Sequence, residues 1–234
     1  KKTSVTDTNV SGNDNVGGLI GRSLNTNITD ARVSVSPVIE ARSVADSAEN
    51  EDETETESQV AGNDNVGGLI GLGEAGTTVT GASVSGTSVT GNEVDGLNVG
   101  GLIGSSVGTD KDNITLEDVH VTATNVGGND NVGGLIGSSQ DTKVGNARVI
   151  RGSASGETNI GGLIGSSLDT DIGTRATPED LDFNPSPFGL TAAGSVSVEG
   201  ANVTGTSNNV GGLIGHSEGN TTVENANVIG GDVT

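Results

Sequence analysis

Apolar residues along this chain never gather into long runs. They come singly or in pairs, mostly β-branched, between Gly, Asn, Asp, Ser and Thr. One pattern recurs. Residues 128–137 read GNDNVGGLIG, the same ten letters stand at 12–21 and 62–71, and the core NVGGLIG or NIGGLIG occurs six times. The Asn before each Val or Ile falls at Asn15, Asn65, Asn98, Asn131, Asn159 and Asn209. Their spacings of 50, 33, 33, 28 and 50 define a unit of 28–33 residues, two units carrying about 20 residues more. A catalytic motif normally occurs once, so a phrase repeated at this period reports on architecture.

Each unit has a second pattern after the phrase: 78–84 reads TVTGASV, 143–149 KVGNARV and 222–228 TVENANV. Its opening departs from strict alternation, which predicts a bend or bulge there. A looser third piece follows, TSVT at 87–90 or ANVT at 201–204. All three pieces are short, β-branched and bounded by turn formers, so they read as strands and turns. Three strands per unit predict one coil of a β-solenoid. A single coil cannot bury its own apolar face, whereas stacking at about 4.8 Å pairs each strand with its copies above and below. The expected fold is all-β: a parallel β-solenoid (β-helix) of about six coils, one domain over 1–234, with two loop inserts at 36–58 and 174–194.

In such a stack the six asparagines are expected to form an amide ladder. The glycines are expected to admit positive φ at the corner and close backbone approach. If the phrase is one extended strand, Val132 and Ile136 share a face and Leu135 points the other way. Val and Ile are then the core. Leu19, Leu69, Leu102, Leu135, Leu163 and Leu213 become an outward stripe, covered by an insert or a second chain. A glycine bulge would reverse the assignment.

V-G-G-L-I-G at this spacing, followed by T-V-x-x-A-x-V, resembles the GLUG-motif repeat (glycine, leucine, any, glycine) of large bacterial and archaeal surface and secreted proteins, some adhesin-like and some peptidases. The resemblance covers nearly the whole chain outside the inserts. It implies an extracellular or cell-surface setting and a scaffold or stalk, and says little about activity.

Composition sharpens this picture. Gly is 40 of 234 residues, the only aromatics are Phe183 and Phe188, and Trp, Tyr, Met and Cys are absent. Any core is therefore thin and aliphatic. Net charge is −21, from 31 acids and 10 bases, so nucleic acid and anionic membrane surfaces are poor partners. Acid excess with little Lys suits a halophilic setting or bound divalent cations, and equally a merely well-solvated surface. No apolar run is long enough to cross a bilayer as a helix. Sequons at Asn9, Asn27, Asn113, Asn202 and Asn220 are glycosylation candidates, though five is about the chance number.

The first insert ends in the acid run ENEDETETE at 49–57, either a cation collector or, the favoured reading, a solvated loop. The second holds both Phe residues and three of the four Pro. Phe183 and Phe188 are partner-anchor candidates, or they pin the loop to the body. The Asn-Asp-Asn corners invite a calcium reading. The Asp position, however, becomes Leu97, Thr158 and Asn208 in other coils, so isolated calcium ions are the most this pattern supports. Of the two histidines, His216 is expected at a surface corner. No nucleophile elbow or repeated His ligand pattern occurs, so no enzyme activity and no cofactor are expected.

The expected function is a structural subunit of an extracellular filament or adhesin-like surface fibre. Both termini read as interior coil, cut at the same third strand. Copies are therefore expected to pair head-to-tail into a homopolymer, a rotation or exchanged strand absorbing the duplicate. The alternatives are a solenoid module binding carbohydrate, calcium or ice, or a stalk segment of a larger adhesin.

Overall fold

The computed structural model describes residues 2–35, 58–92, 96–173 and 195–234. Phe183, Phe188, the acid run at 49–57 and the rest of the two inserts lie outside these residues. Ser58, expected as the last insert residue, already belongs to a coil. It is buried, its Oγ accepting from the Thr8 N–H at 2.8 Å and donating to the Thr8 carbonyl at 3.1 Å.

Among the described residues every element is a strand, and every pairing between strands is parallel. The chain winds through six coils. Each coil has five strands rather than three, and the fourth is representative. Asn125–Gly127 lies in sheet I, Asp130–Gly133 in sheet II, Ile136–Gln140 in sheet III, Thr142–Val144 in sheet IV and Ala147–Ile150 in sheet V. Sheets I to IV have six strands each. Sheet V has seven, because Thr3–Thr6 pairs with Ala31–Ser34 at its start. The repeated phrase thus spans two strands and the second pattern two more, with the bend of the latter at Gly81, whose φ is +67°.

The extra corner overturns the expected outward leucine stripe. The phrase is not one extended strand: it bends at Gly134 and Leu135, between sheets II and III. Leu69, Leu102, Leu135 and Leu163 are fully buried, and Leu19 and Leu213, in the end coils, are half-buried against the same core. Val, Leu and Ile therefore all point inward, into two different cores. Val66, Val99, Val132 and Ile160 of sheet II meet Val60, Val89, Val126 and Ala154 of sheet I. Leu135 and Ile136 face the aliphatic side chains of sheets IV and V, among them Val144, Ala147 and Val149.

Between the two cores, sheets II and III meet backbone to backbone, and the glycines of the phrase make this contact. A Cβ on Gly133 would sit 1.9 Å from the Ile136 carbonyl oxygen and 2.8 Å from the Gly165 nitrogen. One on Gly137 would sit 2.4 Å from the Val99 nitrogen in the coil below. No glycine of the phrase has positive φ, so their role is close approach alone. The positive φ falls instead on the asparagines, at 51–60° in all six copies.

Gly133→Ala should therefore cost about 3 kcal/mol or more, since neither contacting backbone can retreat. Gly127→Ala is the control. Its new Cβ would meet only the Ser155 Oγ at 3.6 Å, so stability should hold or rise by about 0.5 kcal/mol. Urea unfolding followed by circular dichroism measures both.

Candidate functional site

The six asparagines stack where sheet II kinks. Nδ2 of Asn65 donates to Oδ1 of Asn15 at 3.0 Å, Asn98 to Asn65 at 3.0 Å and Asn131 to Asn98 at 2.9 Å. Asn159 to Asn131 and Asn209 to Asn159, both at 2.8 Å, complete the run. Asn suits the position twice over. Its short amide tolerates the left-handed backbone, and it carries the donor and the acceptor that a ladder needs. A shorter outer ladder joins Asn63 to Asn13 at 2.6 Å and Asn92 to Asn63 at 3.3 Å.

A hydroxyl file runs inside the corner between sheets III and IV. Ser23 meets Thr77 at 3.0 Å, Ser106 meets Thr142 at 2.7 Å and Ser139 meets Thr170 at 2.8 Å, all buried. Sequence reasoning missed this file, although the repeated Ser after the phrase and Thr before the second pattern are its signal. Among the described residues no buried side-chain nitrogen or oxygen lacks a partner.

The Asn-Asp-Asn corners lead into sheet II, the Asp and second Asn of each lying within its strand, and their residues are exposed or half-buried. Asp64 accepts from the Leu97 N–H at 3.1 Å and Asp14 from the Asn13 side chain at 3.0 Å. Among the described residues no three His, Cys, Asp or Glu side chains converge as metal ligands would. His216 stands within the strand Ile214–Glu218, in register with Ser166, rather than at a corner, and its Nε2 lies 2.9 Å from Oε1 of Glu218. His120 is exposed on sheet V. Of the sequon asparagines, Asn9, Asn27, Asn202 and Asn220 are exposed and Asn113 is half-buried. A continuous Thr face, the sign of an ice-binding surface, is not formed on sheet IV: Thr78 and Thr115 pair in register, and Lys143 follows them.

Charged contacts lie on the surface. Arg22 grips Glu74 in the next coil with two bonds, at 2.5 and 2.8 Å, which raises the guanidinium pKa and lowers the carboxyl. Arg148 holds Glu199 at 2.8 Å, and the Ser197 hydroxyl joins it at 3.0 Å, so that carboxyl also titrates below its ordinary value. Glu117 differs. It is half-buried, its carboxylate lying over Gly145, where a Cβ would sit 1.7 Å from Oε2. Burial raises its pKa, the bond from the Asn146 N–H opposes the rise, and nearby Asp118 adds to it.

The chain carries the GLUG motif: the family described as "The GLUG motif" matches residues 206–234, the last coil. This motif is associated with surface and secreted proteins. Comparison with curated proteins and with solved structures finds no match.

Replacing Asn131 separates its two roles. Asn131→Ala loses two hydrogen bonds and strains the backbone, costing about 2–4 kcal/mol; Asn131→Gly should recover about 1 kcal/mol of that, in thermal or urea unfolding. Glu117→Gln tests the buried carboxyl. Because the native pKa is raised, the native state binds more protons than the unfolded chain. Stability is thus lost as pH climbs from the ordinary carboxyl value through the raised one. The Gln variant should melt higher than the parent at pH 7, and the gap should close on acidification below the ordinary carboxyl pKa.

Proposed function

We propose that this chain is a structural segment of an extracellular fibre, in which copies stack head-to-tail through their end coils. The observation that carries this reading is that the last described layer repeats the pattern of the layer beneath it. Val223 and Val228 in the last coil, and Val233 just beyond it, are 46–49% exposed. Their register partners one layer below, Ile172, Val198 and Val203, are at most 1% exposed. The asparagine ladder points the same way. Asn15 uses its acceptor within the ladder and Asn209 its donor, so a further coil at either end continues the run. Parallel strand edges and an aliphatic layer of this kind are what a further coil fits, whether it belongs to a second copy or to the same polypeptide. The pairing is heterologous and does not close on itself, so it yields open filaments.

The surface and secreted setting of the GLUG motif agrees with such a role. A scaffold of this kind needs no cofactor and no catalytic group. Electron microscopy of the purified chain should show rods with a rise of about 30 Å per copy. Val228→Asp, which places a charge in the uncovered layer, should leave single particles whose circular dichroism is unchanged. Monomers of the unaltered chain at high concentration, in both low and high salt, would sink the reading.

A further inference from the structure

Among the described residues, sheet I is the one sheet whose strands hold no charged residue. Each of the others carries acid, for example Asp64 in sheet II, Glu74 in sheet III, Asp171 in sheet IV and Glu199 in sheet V. Sheet I turns its Val and Ala side chains into the smaller core and presents two outward files. One runs Gln59, Ser88, Asn125, Ser153 and Asn202, the other Ala61, Thr90, Gly127, Ser155 and Thr204. Arg151 and Glu157 stand beyond the two ends of the strand Ser153–Gly156, at the corners.

The face is low and already ordered. No side chain on it is longer than that of Gln59, and Gly127, between Thr90 and Ser155, helps to line a hollow of about 360 Å³. Oδ1 of Asn9 accepts from the Gln59 N–H at 3.1 Å, Oδ1 of Asn125 from the Ser153 hydroxyl at 3.0 Å and Oδ1 of Asn202 from the Asp232 N–H at 3.2 Å. Held by their oxygens along the solenoid axis, these amides offer their N–H donors outward, next to hydroxyls that can accept.

We propose that the outer face of sheet I pairs with the same face of a second copy, joining two rods side by side. The charge distribution selects this partner. Copies that each carry −21 repel one another, and sheet I alone brings no charge of its own to the contact. A second copy presents an equally uncharged face, whereas a cationic or anionic partner gains nothing there. Small amide and hydroxyl side chains on two flat sheets can interdigitate as polar zippers do. A two-fold pairing of this kind is isologous, so it closes at two rods. The area sets its scale. Six layers by about 10 Å of strand give about 300 Å² per copy, against the roughly 800 Å² per partner of a stable pair. Two single copies fall short of that, and three or more stacked copies on each side exceed it. The inference therefore rests on the fibre reading: the face pairs rods, not free chains. A rotation between successive copies would wind the two rods about each other.

Electron microscopy of the purified chain, free of glycan, tests it. Rods should appear in pairs of twice the single width, more of them as added salt screens the net charge. The double variant Thr90→Glu, Ser155→Glu should give single rods with rise and thermal unfolding unchanged. Like charges facing each other in every copy should cut the paired fraction about tenfold. Thr29→Glu, Thr115→Glu, the same charge added on sheet IV, should pair as the parent does. The chain has no Cys, so Ser88→Cys on sheet I should link copies by disulfides on mild oxidation of the rods, and Thr115→Cys should not. Parent rods that stay single, pairing undiminished by the sheet I charges, or equal linking at 88 and 115 overturns the pairing and leaves the fibre reading standing. Monomers of the parent throughout overturn both. Single rods retained by an insoluble neutral glycan, with retention lost in the Thr90→Glu, Ser155→Glu variant, also overturn the pairing; the face would then serve a sugar.

Discussion

The structure depends on the contact between sheets II and III, where backbone meets backbone with only glycine hydrogens between. A Cβ at Gly67, Gly100, Gly133 or Gly161 would lie 1.9 Å from a carbonyl oxygen within its own coil. Once that seam is fixed, the rest follows. The chain must turn sharply between the two glycine-faced strands, and the turn sends Leu135 and its equivalents inward. The cross-section divides into two narrow cores, each of which Val, Ile, Leu and Ala can fill. A chain with two aromatics in 234 residues and no Met can therefore build a continuous interior.

The seam also explains the asparagines. Sheet III of one coil passes against the backbone of Asn98 and Val99 in the coil below, so closely that a Cβ on Gly137 would lie 2.4–2.5 Å from their atoms. The kink that admits this passage needs a left-handed residue. Glycine would supply the angle but no side chain. Asn supplies both, and the ladder of amides at 2.8–3.0 Å then fixes the register of one coil on the next. Register matters because a slip of one residue exchanges inner and outer faces in every sheet.

How much of this the sequence disclosed follows from what each signal encodes. Period and coil number were legible, because stacking demands repetition and repetition is visible in letters. The asparagine ladder was legible for the same reason. The five-strand coil was not. The phrase reads as one extended strand only if alternation holds across Gly134 and Leu135, and a glycine pair tells nothing of whether the chain bends there. Leu135 was misplaced as a result. Residue type alone points to glycine for the positive φ, whereas the glycines of the phrase serve clearance and asparagine takes the angle. The inner hydroxyl pairs stayed hidden because Ser and Thr are equally common in turns; only their register, Ser106 beneath Thr142, reveals them as partners. The outward file of sheet V was invisible for a related reason: Arg32, Ser83 and His120 are far apart in the letters and share a file only once coils are stacked.

One interruption shows how the layers constrain one another. The hydroxyl file between sheets III and IV breaks only where the second coil meets the third. Gly73 stands where Ser106 stands one layer on, and Ile114 stands where Thr142 does. The two departures face each other: a Cβ on Gly73 would lie 3.7 Å from Cδ1 of Ile114, in ordinary contact. A serine at 73 alone would bury its hydroxyl against a methyl group, at a cost of about 1–3 kcal/mol for the unmet bond. Inner positions therefore change in pairs across layers, and each coil constrains the sequence of the next. Outer positions carry no such obligation. Arg32 can stand over Ser83, and Ser83 over His120, without any of them requiring a partner in kind. The interior fixes a regular rod, and its outer files are left free to hold whatever chemistry the surface is to present.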